Sequence, residues 1–200
     1  AGFPDRVAAV RPAVAGTRRK LAFAGGGGAA ELAEESVVHG AAFVVALAAQ
    51  SRREGVGAAV LVRQAAAVEP EWLLELDADR LEERTIAVFD AERERVEVTI
   101  ETRWDGLLLE SRRDARGGAA TSGALLDAAR ARGAAAWCEE PQDAMQLLHR
   151  GAFVRIHDAA AVVPTTEAID AALALACEGR SSFVQLRSAG VLDQVLAALG

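Results

Sequence analysis

The chain has 200 residues, 52% of them hydrophobic and 26% charged, with a formal net charge of −7; those proportions exclude a disordered chain. No apolar run approaches the roughly 18 residues of a membrane span, and residues 1–20 carry no long apolar stretch after their basic residues, so no secretory signal is expected. An acidic chain binds nucleic acid poorly unless it has a local basic patch or a basic partner, because phosphate contacts supply most of that affinity.

The chain opens without Met and is expected to be a segment of a longer protein. Cys138 and Cys177 lie far apart, too few for a disulfide framework. They suit reduced thiols in a cytoplasmic protein. One lysine against many arginines, with no Asn and no Tyr, points to a high-GC bacterial source. Part of the alanine excess then reflects codon bias.

In chain order, the first segment is basic, with Arg6, Arg11, Arg18, Arg19 and Lys20 against Asp5. Pro4 and Pro12 argue against a long helix there. Lys20 to Phe23 reads as a short strand, and Gly25 to Gly28 as a flexible loop. Ala41–Ala49 and Gly57–Arg63 read as a hairpin around a turn at Ser51–Gly55. Pro70 opens a short helix, Glu71–Leu76, with acids in its first turn.

Val96, Val98, Ile100, Thr102 and Trp104 alternate with Arg95, Glu97, Thr99, Glu101 and Arg103. That period of two predicts a strand with one buried face. Asp105-Gly106 then predicts a type I′ turn into Leu107–Glu110, since both its central residues need positive φ. With Arg84–Phe89 upstream, residues 84–110 read as a three-stranded meander. Past Arg116-Gly-Gly118 the period becomes helical. Leu125, Leu126 and Ala129 share one face, and Pro141 starts a helix carrying Ala144, Met145 and Leu148. Thr165 or Thr166 caps a helix with Ile169, Leu173 and Ala176 inward and Gly179 as its stop. Ser182 caps a turn bearing Phe183 and Leu186, and Leu192, Val195, Leu196 and Leu199 form a last helix.

Catalytic motifs are missing where they would be most visible. A P-loop needs Gly-Lys followed by Ser or Thr, because the lysine reaches the phosphates; Arg19 precedes the lone Lys20. Gly25–Gly28 is no dinucleotide fingerprint, since Ala30 stands where the third glycine belongs. His39, His149, His157 and the two cysteines have no metal-ligand spacing. Ser122 sits in no nucleophile elbow. Glu69, Glu71, Glu75, Asp77 and Asp79 around the short helix, and Glu139-Glu140, read as solvated acids rather than a paired-acid site. No catalytic residue, metal or cofactor is expected in this segment.

Val68-Glu-Pro-Glu-Trp-Leu-Leu-Glu-Leu76 resembles the "x-E-P-E-W-L-L-E" stretch of the OB-like domain of DEAH-box helicases. Phe3-Pro-Asp-Arg-Val7 is similar to the entry of the C-terminal region in the bacterial HrpB branch of that family. Phe89-Asp-Ala-Glu-Arg-Glu-Arg-Val96 and Trp104-Asp-Gly-Leu-Leu-Leu109 resemble its "D-x-E-R-x-R-V…G-L-x-L" strands. Ser182-Phe-Val-Gln-Leu-Arg-Ser-Ala-Gly-Val-Leu192 is similar to its terminal "S-F-x-x-L-x-x-x-x-L-L". The likeness is densest from Val68 to Glu110.

The resemblance implies an α+β segment: an OB-like antiparallel β-barrel domain over residues 1–115, with an entry segment 1–19 and a short inserted helix, then a helical extension over 116–200. It implies a parent that is an ATP-dependent RNA or DNA helicase, whose ATP, Mg and motor domains lie outside this segment. Ala41–Ala49 and Ala65–Ala67 offer small side chains, and small side chains bury little area, at about 25 cal/mol per Å2; a barrel of modest stability is expected.

Two functional readings follow. In the first, Arg18, Arg19, Lys20, Arg52, Arg53 and Arg63 guide single-stranded RNA or DNA by backbone contacts, beside the motor domains of the same polypeptide. In the second, the acidic stretch Glu69–Glu83 or the helical tail docks a protein partner or braces the motor. A third, an unrelated small-molecule-binding barrel with a helical cap, requires the Glu-Pro-Glu-Trp likeness to be accidental.

Overall fold

A computed structural model describes residues 3–12, 17–54, 57–114 and 118–197, with only the backbone described at 52–54, 57–59 and 143–144. Five strands, β1 (Val7–Val10), β2 (Lys20–Phe23), β3 (Ala29–Leu32), β4 (Phe43–Glu54) and β5 (Gly57–Val68), close into a barrel in the order β1-β2-β3-β5-β4. All neighbours are antiparallel except β3 and β5, which run parallel with Leu32 opposite Val62. This is an OB-like barrel, closed by the pairing of β1 with β4. The fold is α+β, as expected.

The barrel differs from the sequence reading in three places. β1 and β3 carry no alternation that would mark them as strands. Ser51–Glu54 continues β4 instead of turning, because the ladder with β5 runs on through Arg53 opposite Ala58; Gly55 lies outside the described residues. The segment Gly25–Gly28 is tethered as well: Ala24–Gly26 form a 3-10 turn, and the Gly25 N–H donates to the Asp105 carbonyl at 2.8 Å. Gly25 has φ +62°, a conformation that costs a side-chain-bearing residue strain.

Inside the barrel Ala8, Leu21, Ala30, Leu32, Val38, Val44, Ala46 and Val62 pack together. A second cluster joins Val7, Ala24 and Phe43 to Leu73, Trp104 and Leu107. Leu73 comes from α1 (Pro70–Leu76), which begins with Pro at its first position as expected. Trp104 is fully buried, and its indole N–H donates to the Asp77 carbonyl at 3.1 Å.

β6 (Leu81–Asp90), β7 (Arg95–Trp104) and β8 (Leu107–Asp114) form the expected meander in that order. Asp105 and Gly106 have φ of 47° and 85°, as a type I′ turn requires. Six of the remaining elements are helices: α2 (Ala119–Arg132), α3 (Ala134–Trp137), α4 (Pro141–His157), α5 (Thr166–Cys177), α6 (Phe183–Arg187) and α7 (Val191–Ala197). The four-residue α3 is too short to show a helical period in the sequence. Thr165 caps α5 by accepting from the Ala168 N–H at 3.1 Å, and Ser182 caps α6 through the Gln185 N–H at 3.3 Å. Arg116 and Leu199 lie outside the described residues, as does the side chain of Ala144.

Two compact units result: Ala1–Arg84 with Glu101–Ser111, and Thr85–Ile100 with Arg112–Gly200. The second has its own core, in which Val96, Val98, Leu125, Trp137, Leu173, Phe183 and Leu186 are buried together. Phe89 and Phe183 meet at 4.6 Å between ring centroids, and the Arg132 guanidinium lies 5.4 Å from the Phe89 ring.

Candidate nucleic-acid interface

Arg18 and Arg19 end the β1–β2 connection, and Lys20 is the first residue of β2. In OB-like barrels the β2–β3 face and the loops after β1 and β4 are the surfaces that meet oligonucleotides. Lys20 stands opposite Glu31 on β3, Glu31 opposite Leu61 on β5, and Leu61 opposite Gln50 on β4. Directly opposed residues share a face, so these four form one row across four strands on the barrel's outside. Arg63, exposed on β5, donates through Nε to the Gln50 side-chain oxygen at 2.9 Å. It occupies the irregularity where the register jumps from Ala48↔Gln64 to Ala49↔Val62.

The cations are not equivalent. The Arg18 guanidinium sits 3.6 Å from the carboxylates of both Glu31 and Glu34. Arg19 donates from Nη1 to the Val38 carbonyl at 2.6 Å, fastening the β3–β4 connection to the barrel mouth. Lys20 is exposed. Arg52 and Arg53 lie on β4 opposite Ala59 and Ala58, and their side chains are outside the described residues. Thr17, Arg18, Arg19, Glu34 and His39 border a shallow cavity of about 390 Å3 at this end of the barrel.

The six basic residues therefore fall into two groups, 18–20 and 52–63, on strands linked through β3. Sequence reasoning missed Glu31, Glu34 and Gln50, the groups that partner these cations. No spacing rule reveals them, because β3 was not legible as a strand. Aromatic stacking has no platform on the β2–β3 face: its outward positions include Lys20, Ala29 and Glu31, while Phe23 packs against the barrel core. The chemistry this face offers is charge, with the Gln50 amide beside it.

Several ionisable groups elsewhere are tied into ion pairs. Arg130 clasps Asp170 through two hydrogen bonds of 2.7 and 2.6 Å, which hold that carboxyl below the usual aspartate range. Hydrogen bonds from Arg93 and then Arg95 lower Glu97. Burial pushes the Cys177 thiol up. Among the described residues no three His, Cys, Asp or Glu side chains group as a metal site, and no helix is long and apolar enough to cross a membrane.

No family model matches the chain, and no curated protein matches it. Two solved structures of HrpB from Escherichia coli are similar to it. One, described as a DExH-box NTPase, shares 17% identity with a TM-score of 0.47, covering 99% of this chain and 24% of that one. The other, described as a DEAH/RHA helicase, shares 15% identity with a TM-score of 0.44 over the same shares. The chain thus spans 24% of the length of these neighbours.

Proposed function

We propose that this chain is an accessory segment of an ATP-dependent helicase, whose OB-like barrel helps to guide a single strand of RNA or DNA past the motor domains of the same polypeptide. ATP and Mg act in those motor domains, and the segment itself is not an ATPase. The observation that carries the reading is the row Lys20, Glu31, Leu61 and Gln50, with Arg18 and Arg63 at its flanks, across a closed five-stranded barrel. The likeness of Val68–Glu110 to the helicase OB-like region supports it.

The interleaved acids suit this role. Phosphates must displace Glu31 and Glu34 from Arg18, so each contact is weak and a sliding strand is readily released. With no stacking platform, binding depends on the backbone and ignores sequence. Dissociation constants in the non-specific range of about 10⁻⁶ to 10⁻⁴ M are expected.

Fluorescence anisotropy of a labelled single-stranded RNA, at low and moderate salt, tests the reading. Binding should weaken with salt and fall when Lys20 and Arg63 are both changed to Ala. These two are better choices than Arg19, whose loss would also untie Val38. No binding at low salt would sink direct contact by this segment.

A further inference from the structure

Three tryptophans occupy very different surroundings. Trp104 and Trp137 are 0% and 4% exposed, whereas Trp72 on α1 is 56% exposed. Leu76, one turn along, is 59% exposed. On a helix these two lie side by side as i and i+4. The next stripe around the helix holds Glu71 and Glu75, also one turn apart and exposed, and Leu73 faces inward on the far side of the Trp stripe. Glu69 and Asp79 extend the exposed acids beyond both ends of the helix.

This charge is not neutralised. Arginines elsewhere are spent on carboxylates: Arg84 on Glu82, Arg93 on Glu97, Arg130 on Asp170, Arg187 on Glu94. The nearest arginine in sequence, Arg80, is held by Asp77 and Asp105. Among the described residues, Glu69, Glu71, Glu75 and Asp79 have no ion-pair partner.

From this pairing of an apolar anchor with uncompensated acid, we propose that the Trp72–Leu76 face of α1 is a docking surface for a basic, amphipathic segment of a partner protein. The partner's arginines or lysines meet Glu71 and Glu75, and its apolar side chains cover Trp72 and Leu76. Charge disfavours two other occupants. A nucleic acid would bring phosphates against four carboxylates. A second copy would bring four more carboxylates. Tryptophan also accepts a guanidinium or ammonium over its ring face, and it is among the residue types that dominate binding energy at interfaces. The surface is separate from the cations of the barrel row and stands or falls independently of the guiding role.

The probe is a synthetic helical peptide of Arg and Leu, compared with a twin in which Glu replaces Arg. Because the other two tryptophans are buried, Trp72 dominates quenching by acrylamide. The basic peptide should protect Trp72 from acrylamide and bind with micromolar affinity by anisotropy. Trp72→Ala should weaken binding by about tenfold or more. Glu71→Gln with Glu75→Gln should weaken it severalfold while retaining the indole, and Glu139→Gln with Glu140→Gln should leave it unchanged. RNA affinity should be the same in Trp72→Ala as in the parent chain. The proposal is overturned if the peptide binds all variants alike, or not at all. It is also overturned if RNA protects Trp72, or if protection appears with protein concentration alone, which would mark a second copy as the occupant.

Discussion

The barrel interior and the core of the helical unit solve the same packing problem with different materials. The barrel interior is filled by Ala8, Ala30 and Ala46 beside a few leucines and valines. The helical unit buries Phe183, Trp137, Leu125 and Leu186 around the Val96–Val98 strand. Small side chains bury little area, so the barrel depends on its closed ladder of backbone hydrogen bonds, while the helical unit depends on side-chain contacts. The barrel core therefore has room to lose little, and the helical core has much to lose.

Truncating Phe183, the largest side chain with no exposure in the helical core, breaks that contrast most sharply. Phe183→Ala should cost about 3–5 kcal/mol, read as a fall in the urea midpoint. In the barrel, Val62→Ala removes two buried methyl groups and should cost roughly 1.5–2 kcal/mol. Equal losses at the two sites would contradict the division. Enlarging the barrel core probes it from the other side. Ala30 is 4% exposed and lies between Leu21 and Val60 in register. Ala30→Leu should destabilise by about 1–3 kcal/mol through overpacking. A neutral or stabilised variant would mean that the barrel is loosely filled.

The smallest effect is electrostatic and confined to the helical unit. Asp170 has its pKa lowered in the fold by the Arg130 hydrogen bonds. A lowered carboxyl contributes stability above its unfolded pKa, about 3.9, and that contribution is lost as pH falls through the folded value. Asp170→Asn should therefore be slightly less stable than the parent chain at neutral pH, and the difference should vanish in acid. Thermal melts at neutral and acidic pH read this directly, and a difference that persists in acid would assign the effect to packing instead. The pair is half exposed, so the effect is small and should shrink with salt.

How much was legible follows the same division. The helix Pro70–Leu76, the meander and the caps at Thr165 and Ser182 announce themselves locally, through proline, alternation, Asp-Gly and hydroxyl side chains. β1 and β3 do not. Val7–Val10 and Ala29–Leu32 are four residues each and dominated by alanine and valine; they become strands only because the barrel closes on them, β3 through a parallel pairing with β5 some thirty residues away. Polar Ser51–Glu54 resembles a turn, yet the hairpin ladder extends past the point where burial would require it. The candidate interface shares this limit. Its cations could be found as charges, but Glu31, Glu34 and Gln50 become their partners only through register. Exposure of Trp72 was equally hidden, since a tryptophan in a helical pattern ordinarily reads as core.

The central claim is that the barrel row contacts single-stranded nucleic acid and that its own acids hold the affinity down. RNA anisotropy on the Glu31→Gln, Glu34→Gln double variant tests both halves together. Freed from its carboxylates, Arg18 should bind phosphate directly, so affinity should rise severalfold and the dependence on salt should steepen by about one contact. No salt-dependent binding by either the parent chain or the double variant would contradict the account and remove this barrel from the path of the strand.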